Sequence, residues 1–487
     1  MRTAKLSLLL SALLFSAALA QSPSDQVIAE ASKPSPLESN LERLTDEIGG
    51  RVPGTPAMTR AVQWGVDAFK SAGADTVRTE EFSIKASWAE GATTASVVAP
   101  ENFKLRAVSV AWAPALAAHQ HVRVVDVESG SAGDFATAGD FSGAILLVHT
   151  EEMVRWDDLF AEYLKAPGIV DRAVKGKALA IAFQSTRPHD LLYRHTNASD
   201  GEIDRIPMLI VAREDAGRMA RLLSAGQKLF VDLAIPNKVG GPIQASNVIA
   251  ELRGSERPDE FVILGAHLDS WDLGTGALDN GCNAALVVDA LRAIKALGVR
   301  PKRSIRFVLF SGEEEGLVGS HSYAVAHRGE LDKAAGVVIF DSGIGRVTGF
   351  SLGGRRDAVD AMRTLVSPLK QFDATTLTTD ADWGTDNFDF LLEGVPTMVA
   401  NQEEGNYLIN YHAMSDTFDK VDLEQLKKHV AEAAAVTLGL ADASDRVGPR
   451  LNHAQIERIL EETHLDEQMK TFGMWDDWTN RKHGRTE

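Results

Sequence analysis

The segment 243–442 alternates short apolar runs with amphipathic helical patterns, and this alternation restricts the fold more than any other feature. The apolar runs are each followed by polar or glycine-rich sequence and predict strands buried on both faces: Phe261–Gly265, Ile305–Phe310, Val337–Phe340 and Thr397–Ala400. Between and after them, apolar residues keep to one helical face from Ala284 to Ile294 and over Leu423–Ala441. Alternating strands and helices form a largely parallel sheet covered by helices. We therefore predict an α/β fold with a mixed, mostly parallel sheet flanked by helices.

Two stretches of different character precede this segment. Residues 21–95 predict two helices around a glycine- and proline-rich loop, followed by a strand near Thr79–Ile84. Residues 96–242 contain short β-branched runs broken by Gly and Asp turns, with a helix over Arg213–Leu223, and predict a mostly β module. We expect 21–95 and 243–442 to form one catalytic domain, with the β-rich module inserted between them.

Residues 1–20 combine a basic start, an apolar stretch and small residues before Gln21, which is the pattern of a secretory signal peptide. We expect cleavage after Ala20, a secreted or periplasmic protein and no membrane span, because the apolar stretch is shorter than the ~20 residues that cross a bilayer. The single cysteine, Cys282, excludes an internal disulfide. The formal net charge of -18 disfavours nucleic-acid binding, which depends on clustered basic residues.

Histidine, aspartate and glutamate residues follow the predicted strands in the sequence. Because parallel strands have their carboxyl ends at the same edge of a sheet, we expect these side chains to lie close together. The candidate metal ligands are His267, Asp279, Glu314, Asp341 and His412. Zinc accepts imidazole nitrogen and carboxylate oxygen, and a two-metal site needs a carboxylate that bridges both ions. Asp279, in a tight Asp-Asn-Gly loop, suits the bridge. We predict two zinc ions per chain, one held by His267 and Asp341. The other is expected on Glu314 and His412.

Three further residues are expected to support catalysis. Glu313 is the candidate general base, because adjacent side chains at a strand end diverge and the neighbour of ligand Glu314 stays free to take a proton from water. Asp269, two residues after His267, is expected to orient that imidazole. Tyr411 is expected to hydrogen-bond the developing oxyanion.

Each of these motifs has an ordinary structural interpretation when taken alone. A Glu-Glu pair is usually a solvated acidic patch, an Asp-Asn-Gly loop is usually a turn, and Tyr411 is equally consistent with a half-buried aromatic residue. The joint occurrence of the motifs, in this order and at strand ends, predicts a metal site.

Taken together, the motifs resemble those of the zinc aminopeptidase and glutamate carboxypeptidase family. The matching segments are His267-Leu-Asp269-Ser-Trp271-Asp272, Asp279-Asn-Gly281, Glu313-Glu314-Glu-Gly-Leu317-Val-Gly-Ser320, Asp341-Ser342 and Tyr411-His412. The resemblance implies a phosphorylase/hydrolase-like α/β domain with two zinc ions and an inserted protease-associated domain over 96–242. Carried over by position, it implies the same five ligands and the same base. Asn280 departs from the family, whose members often have Asp there, and this puts metal affinity rather than mechanism in question.

The resemblance implies a secreted zinc exopeptidase that acts on dipeptides or short peptides, of the carboxypeptidase or dipeptidase type, with an aminopeptidase as the alternative. An aminopeptidase needs an acid for the substrate's terminal ammonium, whereas a carboxypeptidase needs a cation for the terminal carboxylate. The candidates for these two tasks are Asp386, Glu403 and Glu404 on one side and Arg346, Arg355 and Arg356 on the other.

Two other function classes fit the sequence less well. A glutaminyl cyclase shares the catalytic fold but uses a single zinc, and the pairing of His267 with Glu313-Glu314 and the inserted module argue against it. A non-catalytic, receptor-like homologue should have lost metal ligands, and the sequence retains the full set.

The C-terminal tail, residues 443–487, carries none of the family motifs. It has a helical pattern over Gln455–Met469 and contains Trp475 and Trp478. The resemblance suggests a homodimer, and the tail is a candidate for its contact surface.

Overall fold

The computed structural model describes residues 22–197, 201–298, 300–381 and 383–487. The predicted signal peptide, residues 1–20, lies outside these ranges. None of the helices within them is long and apolar enough to cross a membrane.

The strands of the described residues belong to two eight-stranded sheets and one two-stranded ribbon. In chain order they are β1 (Thr76–Ile84), β2 (Trp88–Ala89), β3 (Thr94–Ala99), β4 (Phe103–Leu105), β5 (Ala107–Ser109), β6 (Leu116–Asp126), β7 (Ile145–Val148), β8 (Ala180–Gln184), β9 (Met208–Val211), β10 (Phe230–Ile235), β11 (Lys238–Val239), β12 (Ile243–Leu252), β13 (Arg257–His267), β14 (Arg303–Phe310), β15 (Ala334–Ile339), β16 (Val347–Ser351), β17 (Thr376–Thr378) and β18 (Thr397–Gln402).

The α-helices are α1 (Pro23–Ala31), α2 (Leu37–Glu42), α3 (Pro56–Ala72), α4 (Ala132–Thr137), α5 (Trp156–Lys175), α6 (Arg213–Ser224), α7 (Cys282–Ala296), α8 (Val318–His327), α9 (Val359–Leu365), α10 (Asn387–Leu392), α11 (Tyr407–Asn410), α12 (Leu423–Asp442), α13 (His453–Glu462), α14 (Leu465–Thr471) and α15 (Trp475–Thr479). Turns of π or 3-10 helix occupy Arg43–Ile48, Ala277–Gly281, Arg328–Lys333, Arg356–Ala358, Ser367–Phe372 and Phe418–Lys420.

The first sheet has the strand order β1-β12-β14-β13-β15-β18-β16-β17. Its centre, β14-β13-β15-β18, is parallel throughout, whereas the β1–β12, β12–β14 and β18–β16 pairings are antiparallel. The central strands β13, β14, β15 and β18 contain the apolar runs that the sequence predicts, with Phe340 one residue beyond β15. The prediction of a mixed, mostly parallel sheet is therefore confirmed.

Helices cover both faces of this sheet and bury its apolar side chains. The larger core joins one face to α1, α3, α7 and α12 through side chains such as Trp64, Leu286 and Val436. The smaller core packs Phe310 on the opposite face against Tyr323 of α8 and Phe390 of α10. The long helices α7 and α12 thus form where the sequence shows continuous apolar faces.

Local capping sets the start of two helices that support the sheet. The hydroxyl of Thr55 accepts a hydrogen bond from the backbone N–H of Met58 at 3.2 Å, and Pro56 follows at the first helical position of α3. The carboxylate of Asp422 accepts from the N–H groups of Glu424 and Gln425 at the start of α12. Both arrangements satisfy backbone donors that have no partner inside the helix.

The second sheet has the order β4-β3-β10-β6-β7-β8-β9-β5 and contains the strands between residues 94 and 211 together with β10. Helices α4, α5 and α6 belong to the same stretch, and α6 coincides with the helix predicted over Arg213–Leu223. The ribbon of β2 and β11 pairs Trp88 with Val239 where the chain leaves and re-enters the first sheet. The second sheet begins at Thr94, so the predicted boundary at 95/96 falls within β3. Its identity as a protease-associated domain stays a prediction.

The C-terminal tail folds against the first-sheet domain as three short helices, α13 to α15. The single helix predicted over Gln455–Met469 is instead divided, because the backbone turns at His464, whose φ is +61°. Trp478 is fully buried and stacks on His453 at 4.1 Å between ring centroids.

Candidate metal centre

The predicted ligands lie at one edge of the first sheet because three adjacent strands end there. His267 is the last residue of β13, Glu314 follows β14, and Asp341 follows β15. Asp279 lies in the π turn that leads into α7, and His412 follows α11. Parallel neighbours bring their carboxyl ends together, so residues far apart in the chain meet in one small volume.

Asp279 occupies the middle of the centre and has one carboxylate oxygen near each histidine. Its Oδ1 lies 3.2 Å from Nε2 of His267, and its Oδ2 lies 3.2 Å from Nε2 of His412. Asp341 Oδ1 is 3.0 Å from the same nitrogen of His267. Glu314 Oε2 is 2.9 Å from the nitrogen of His412. Two three-residue groups therefore share Asp279, and in each group the candidate ligand atoms lie within 4.8 Å of one another.

The centre is nearly closed to solvent and has an excess of negative charge. His267, Asp279, Glu314 and His412 expose at most 8% of their surface. Burial acts to lower the pKa of His267, but nearby carboxylates, Asp341 first among them, raise it well above its ordinary value. For the carboxyl group of Glu314, burial itself raises the pKa, to about 7. Both shifts express the cost of removing several carboxylates from water without a full set of cations.

These features fit a pair of divalent cations. Oε1 of Glu314 and Oδ2 of Asp279 are buried and have no hydrogen-bond partner within the described residues. Imidazole nitrogen and carboxylate oxygen are the donors that zinc prefers. Two zinc ions would also compensate the negative charge of these buried carboxylates.

The three residues expected to support catalysis lie beside the ligands. Glu313 is only partly exposed. The removal of its carboxylate from water raises its pKa well above the ordinary value; the charge of His267 opposes this shift, and the charge of Asp341 reinforces it. Asp269 faces His267 with its backbone oxygen, 3.1 Å from Nδ1, and its carboxylate accepts from the backbone N–H of Glu314 at 3.2 Å. The nearest contact of Asp269 with the imidazole is therefore made by its backbone oxygen, and its carboxylate oxygen lies farther away, at 3.8 Å from Nδ1.

Tyr411 stacks on His412 at 3.6 Å between ring centroids. Its hydroxyl lies 3.0 Å from the hydroxyl of Tyr163, which belongs to α5 of the inserted segment. The expected contact with an oxyanion stays a prediction, and the hydroxyl pair gives Tyr411 a partner that sequence reasoning did not anticipate.

Asn280 contacts candidate ligand Asp341 and is not itself among the candidate ligands. Its Nδ2 donates to Oδ1 of Asp341 at 2.7 Å and to the backbone oxygen of Phe340 at 3.1 Å. An amide that donates to a carboxylate fixes the orientation of that carboxylate. The departure from the family's frequent Asp thus leaves a hydrogen-bond donor beside Asp341.

The loop that carries Asp279 is held by two residues that the sequence analysis did not single out. The fully buried guanidinium of Arg51 donates to the backbone oxygens of Leu268 at 2.6 Å and of Gly276 at 2.8 Å. The carboxylate of Asp416 accepts from the backbone N–H groups of Leu278 and Asp279 at 2.7 and 3.2 Å. Arg51 follows the Gly49-Gly50 pair, and Asp416 lies four residues after His412, but neither spacing alone indicates such a role.

The inserted segment holds the backbone around His412, beginning with an isolated bridge between Tyr193 and Ala413. The N–H of Arg194 donates to the backbone oxygen of His412 at 3.0 Å, and the N–H of Met414 donates to Leu192 at 3.0 Å. The guanidinium of Arg187 donates to the backbone oxygen of Tyr411 at 2.7 Å. The loop between β8 and β9 of the inserted segment therefore helps to position candidate ligand His412.

Comparison with known proteins finds one family and several relatives. Residues 247–437 match the sequence model of peptidase family M28. Carboxypeptidase Q of Rattus norvegicus is 29% identical over 412 residues, which cover 83% of this chain and 85% of the relative. A solved peptidase M28 precursor from Shewanella amazonensis SB2B has a TM-score of 0.80 and 27% identity, and the match covers 88% of this chain and 98% of the other. A zinc aminopeptidase from Bacillus subtilis has a TM-score of 0.65 and 19% identity, covering 85% and 97% of the two chains, and is similar in fold.

Proposed function

Because this chain belongs to peptidase family M28 and is a metallo-exopeptidase, we propose that it hydrolyses dipeptides and short peptides with two zinc ions. The observation that carries the proposal is the position of Asp279, whose two oxygens lie 3.2 Å from the histidines on either side. A carboxylate that faces two imidazoles in this way is suited to bridge two ions. The likeness to carboxypeptidase Q supports the same class of substrate.

The proposed ligand sets follow the two three-residue groups. His267 and Asp341 hold one ion, Glu314 and His412 hold the other, and Asp279 is shared. Bound zinc supplies Lewis-acid activation of water and of the scissile carbonyl. The near-complete burial of these side chains fixes their positions before substrate arrives.

Glu313 is proposed as the general base. Its side chain is partly exposed, unlike that of its neighbour Glu314, and this supports access to water and substrate. A carboxylate that lies beside the proposed ligands without being one of them is placed to accept a proton from water. Glu313 then passes that proton to the leaving amine.

The terminus that the enzyme recognises is set by charges around the centre, and six candidates follow from the sequence. Asp386 is fully buried, so a substrate ammonium reaches it only if the site moves. Arg346 and Glu403 pair with each other at 2.6 Å, and Arg355 pairs with Asp357 at 2.7 Å.

A small cavity of about 10 Å³ adjoins the proposed metal ligands, and Trp271 and Asp416 line it together with Asp279, Glu314 and His412. Within the described residues, its lining includes none of the six candidates. The carboxypeptidase or dipeptidase type stays the leading proposal, with aminopeptidase as the alternative that the following experiment separates.

The test uses the zinc-loaded enzyme with one short peptide in four forms: free, amino-blocked, carboxyl-blocked and blocked at both ends. Hydrolysis of the free form is expected. If one singly blocked form is also cleaved, the blocked form that survives identifies the recognised terminus, and survival of both singly blocked forms identifies a dipeptidase. Glu313→Gln enzyme serves as the inactive control. Failure of the wild type to cleave any free peptide, or cyclisation of an N-terminal glutamine without peptide hydrolysis, would refute the proposal.

Export is part of the proposal and depends on residues 1–20. N-terminal sequencing of protein recovered outside the cytoplasm is expected to begin at Gln21. Recovery of a chain that retains its first residues and stays inside the cell would contradict it.

A homodimer is proposed by analogy with related enzymes. Trp478 is buried within its own chain, so this side chain of the tail is not available to a partner. Exposed apolar side chains lie instead at Val154 and Leu164 of the inserted segment and at Ile409 and Met414 beside the centre. Sedimentation of the intact protein tests the dimer, and a single species of monomer mass at micromolar concentration would exclude it.

A further inference from the structure

A second group of metal-binding side chain types lies where the C-terminal tail meets the catalytic domain. We call it the tail cluster and define it as His321, Asp389 and His483. His321 lies on α8 and Asp389 on α10, whereas His483 follows α15 in the tail. Each residue contributes one candidate ligand atom, and the atoms lie within 4.8 Å of one another.

The geometry of the tail cluster is as compact as that of the metal centre. Nδ1 of His321 lies 2.9 Å from Nε2 of His483 and 3.1 Å from Oδ1 of Asp389, and the second nitrogen lies 2.7 Å from the same oxygen. Tetrahedral ligands that bind zinc at ~2.0–2.1 Å lie about 3.3 Å apart. The three atoms therefore need to separate by only a few tenths of an ångström to admit an ion, which small rotations of two imidazoles supply.

We propose that the tail cluster is a third zinc site, separate from the catalytic centre, that fastens the C-terminal tail to the catalytic domain. Two imidazole nitrogens and one carboxylate oxygen form a donor set that suits zinc. The proposal does not depend on how many ions the catalytic centre holds.

The surroundings of Asp389 are arranged as those of a metal ligand commonly are. Its side chain is 2% exposed, and the hydroxyl of Ser320 donates to its Oδ2 at 2.9 Å, which leaves Oδ1 facing the histidines. The side chains of His483 and His321 are 18% and 38% exposed. An ion can thus reach these side chains from solvent.

Backbone contacts of the residues that follow His483 hold the end of the chain against α10 and against α13. The N–H of Arg485 donates to the backbone oxygen of Leu392 at 2.9 Å, and the N–H of His453 donates to that of Glu487 at 2.7 Å. Gly484 follows His483 with φ of +76°, and a side chain there would meet Trp478 and Leu392. The approach of His483 to Asp389 is therefore fixed by the tail's own fold.

Within the described residues, Asp126, Glu128 and His149 also bring one candidate ligand atom each within 4.8 Å of one another, but they are less well placed for an ion. His149 contacts Asp126 through Nε2 at 2.9 Å and Glu128 through Nδ1 at 3.6 Å. These contacts use opposite nitrogens of one ring, and the Glu128 side chain is 69% exposed. The tail cluster differs in its carboxylate, because the Asp389 side chain is 2% exposed and held by Ser320.

The test counts zinc in the intact protein after loading and removal of loosely bound metal. His483→Gln and, independently, His321→Gln are expected to bind one equivalent less than the wild type and to keep peptidase activity. His464→Gln is the matched control, since its side chain is 77% exposed in the same tail, and it should match the wild type. Equal zinc content in the wild type and both tail-cluster variants would overturn the proposal.

A thermal measurement separates this site from the catalytic ions. In Asp279→Ala protein stripped of metal, added zinc is expected to raise the unfolding temperature through the tail cluster alone, because a ligand that binds only the folded state stabilises it. The rise should disappear when His483→Gln is added to the same protein. An equal rise in both proteins would contradict the third site. In the zinc count, a wild-type protein that lacks the third equivalent but holds its two catalytic ions would refute the third site and leave the proposed function unaffected.

Discussion

The hydroxyl of Tyr163 lies 3.0 Å from the hydroxyl of Tyr411. Tyr163 belongs to a helix of the inserted segment, and Tyr411 precedes the metal-ligand candidate His412. The two rings lie in an apolar cluster with Leu159 and Leu408. The inserted segment therefore reaches the edge of the catalytic centre through a side chain as well as through the backbone.

Removal of the Tyr163 hydroxyl should weaken catalysis without removing metal. A hydrogen bond of this kind contributes roughly 0.5–1.5 kcal/mol, so Tyr163→Phe is expected to lower kcat/KM by about 2- to 10-fold. Zinc content should stay at the wild-type value. Tyr323→Phe is the control, because its hydroxyl bonds Arg306 at 3.0 Å away from the metal ligands. An unchanged kcat/KM in Tyr163→Phe would exclude a positioning role.

Glu313→Gln should separate metal binding from proton transfer. The amide keeps the size of the side chain but cannot accept the proton, and general bases contribute about 10²–10⁴-fold to rate. Zinc content should equal that of the wild type while kcat falls by that factor. The exposed Glu151→Gln variant serves as control, and undiminished turnover in Glu313→Gln would show that another group is the base.

Arg51→Lys tests whether the loop before Asp279 depends on one buried guanidinium. Burial lowers the pKa of Arg51 to about 10. Its planar guanidinium donates to several backbone oxygens at once, which the single ammonium group of a lysine cannot do. We expect a loss of unfolding free energy on the order of 3 kcal/mol, together with weaker zinc binding.

Arg60→Lys, an exposed substitution on α3 with one bond to the backbone oxygen of Ile48, should cost less than about 0.5 kcal/mol. Similar losses in the two variants, measured by denaturant unfolding, would show that Arg51 has no special role.

His327 should make stability depend on pH at a point remote from the ligands. Its Nε2 lies 2.8 Å from Glu80 of β1, and its Nδ1 contacts Glu330. Burial acts to lower the pKa of His327, but the two carboxylates raise it above the ordinary value. A raised folded pKa gives stabilisation that is complete below the unfolded pKa of about 6.5 and is lost as pH rises through the folded value.

The free energy of unfolding should therefore fall by about 1.5 kcal/mol in His327→Gln at pH ~5.5 and by less at pH ~9. His464→Gln should show no such difference. A cost that is the same at both pH values would contradict the ion-pair account.

The sequence predicts those parts of the fold that short segments encode. The apolar runs of β13, β14, β15 and β18 and the polar residues after them are local, and the parallel sheet then brings His267 and Asp341 together. Asp279 could be assigned as the shared carboxylate because imidazoles do not bridge. These inferences needed only strand order and ligand chemistry.

The contacts that position the centre could not be predicted in the same way. Arg51 and Tyr163 act through hydrogen bonds to residues more than 200 positions away in the chain, and neither has a local signature. His483 meets Asp389 only because the tail turns back at His464 and returns along α10. Such contacts depend on how distant elements pack, which a single sequence does not state.

The most direct test of the binuclear centre is an anomalous difference map recorded at the zinc absorption edge from crystals of the zinc-loaded enzyme. We predict two peaks about 3.5–4 Å apart, one beside His267 and Asp341 and the other beside Glu314 and His412, with Asp279 between them. A single peak at this centre, or none while the protein retains full peptidase activity, would contradict the account.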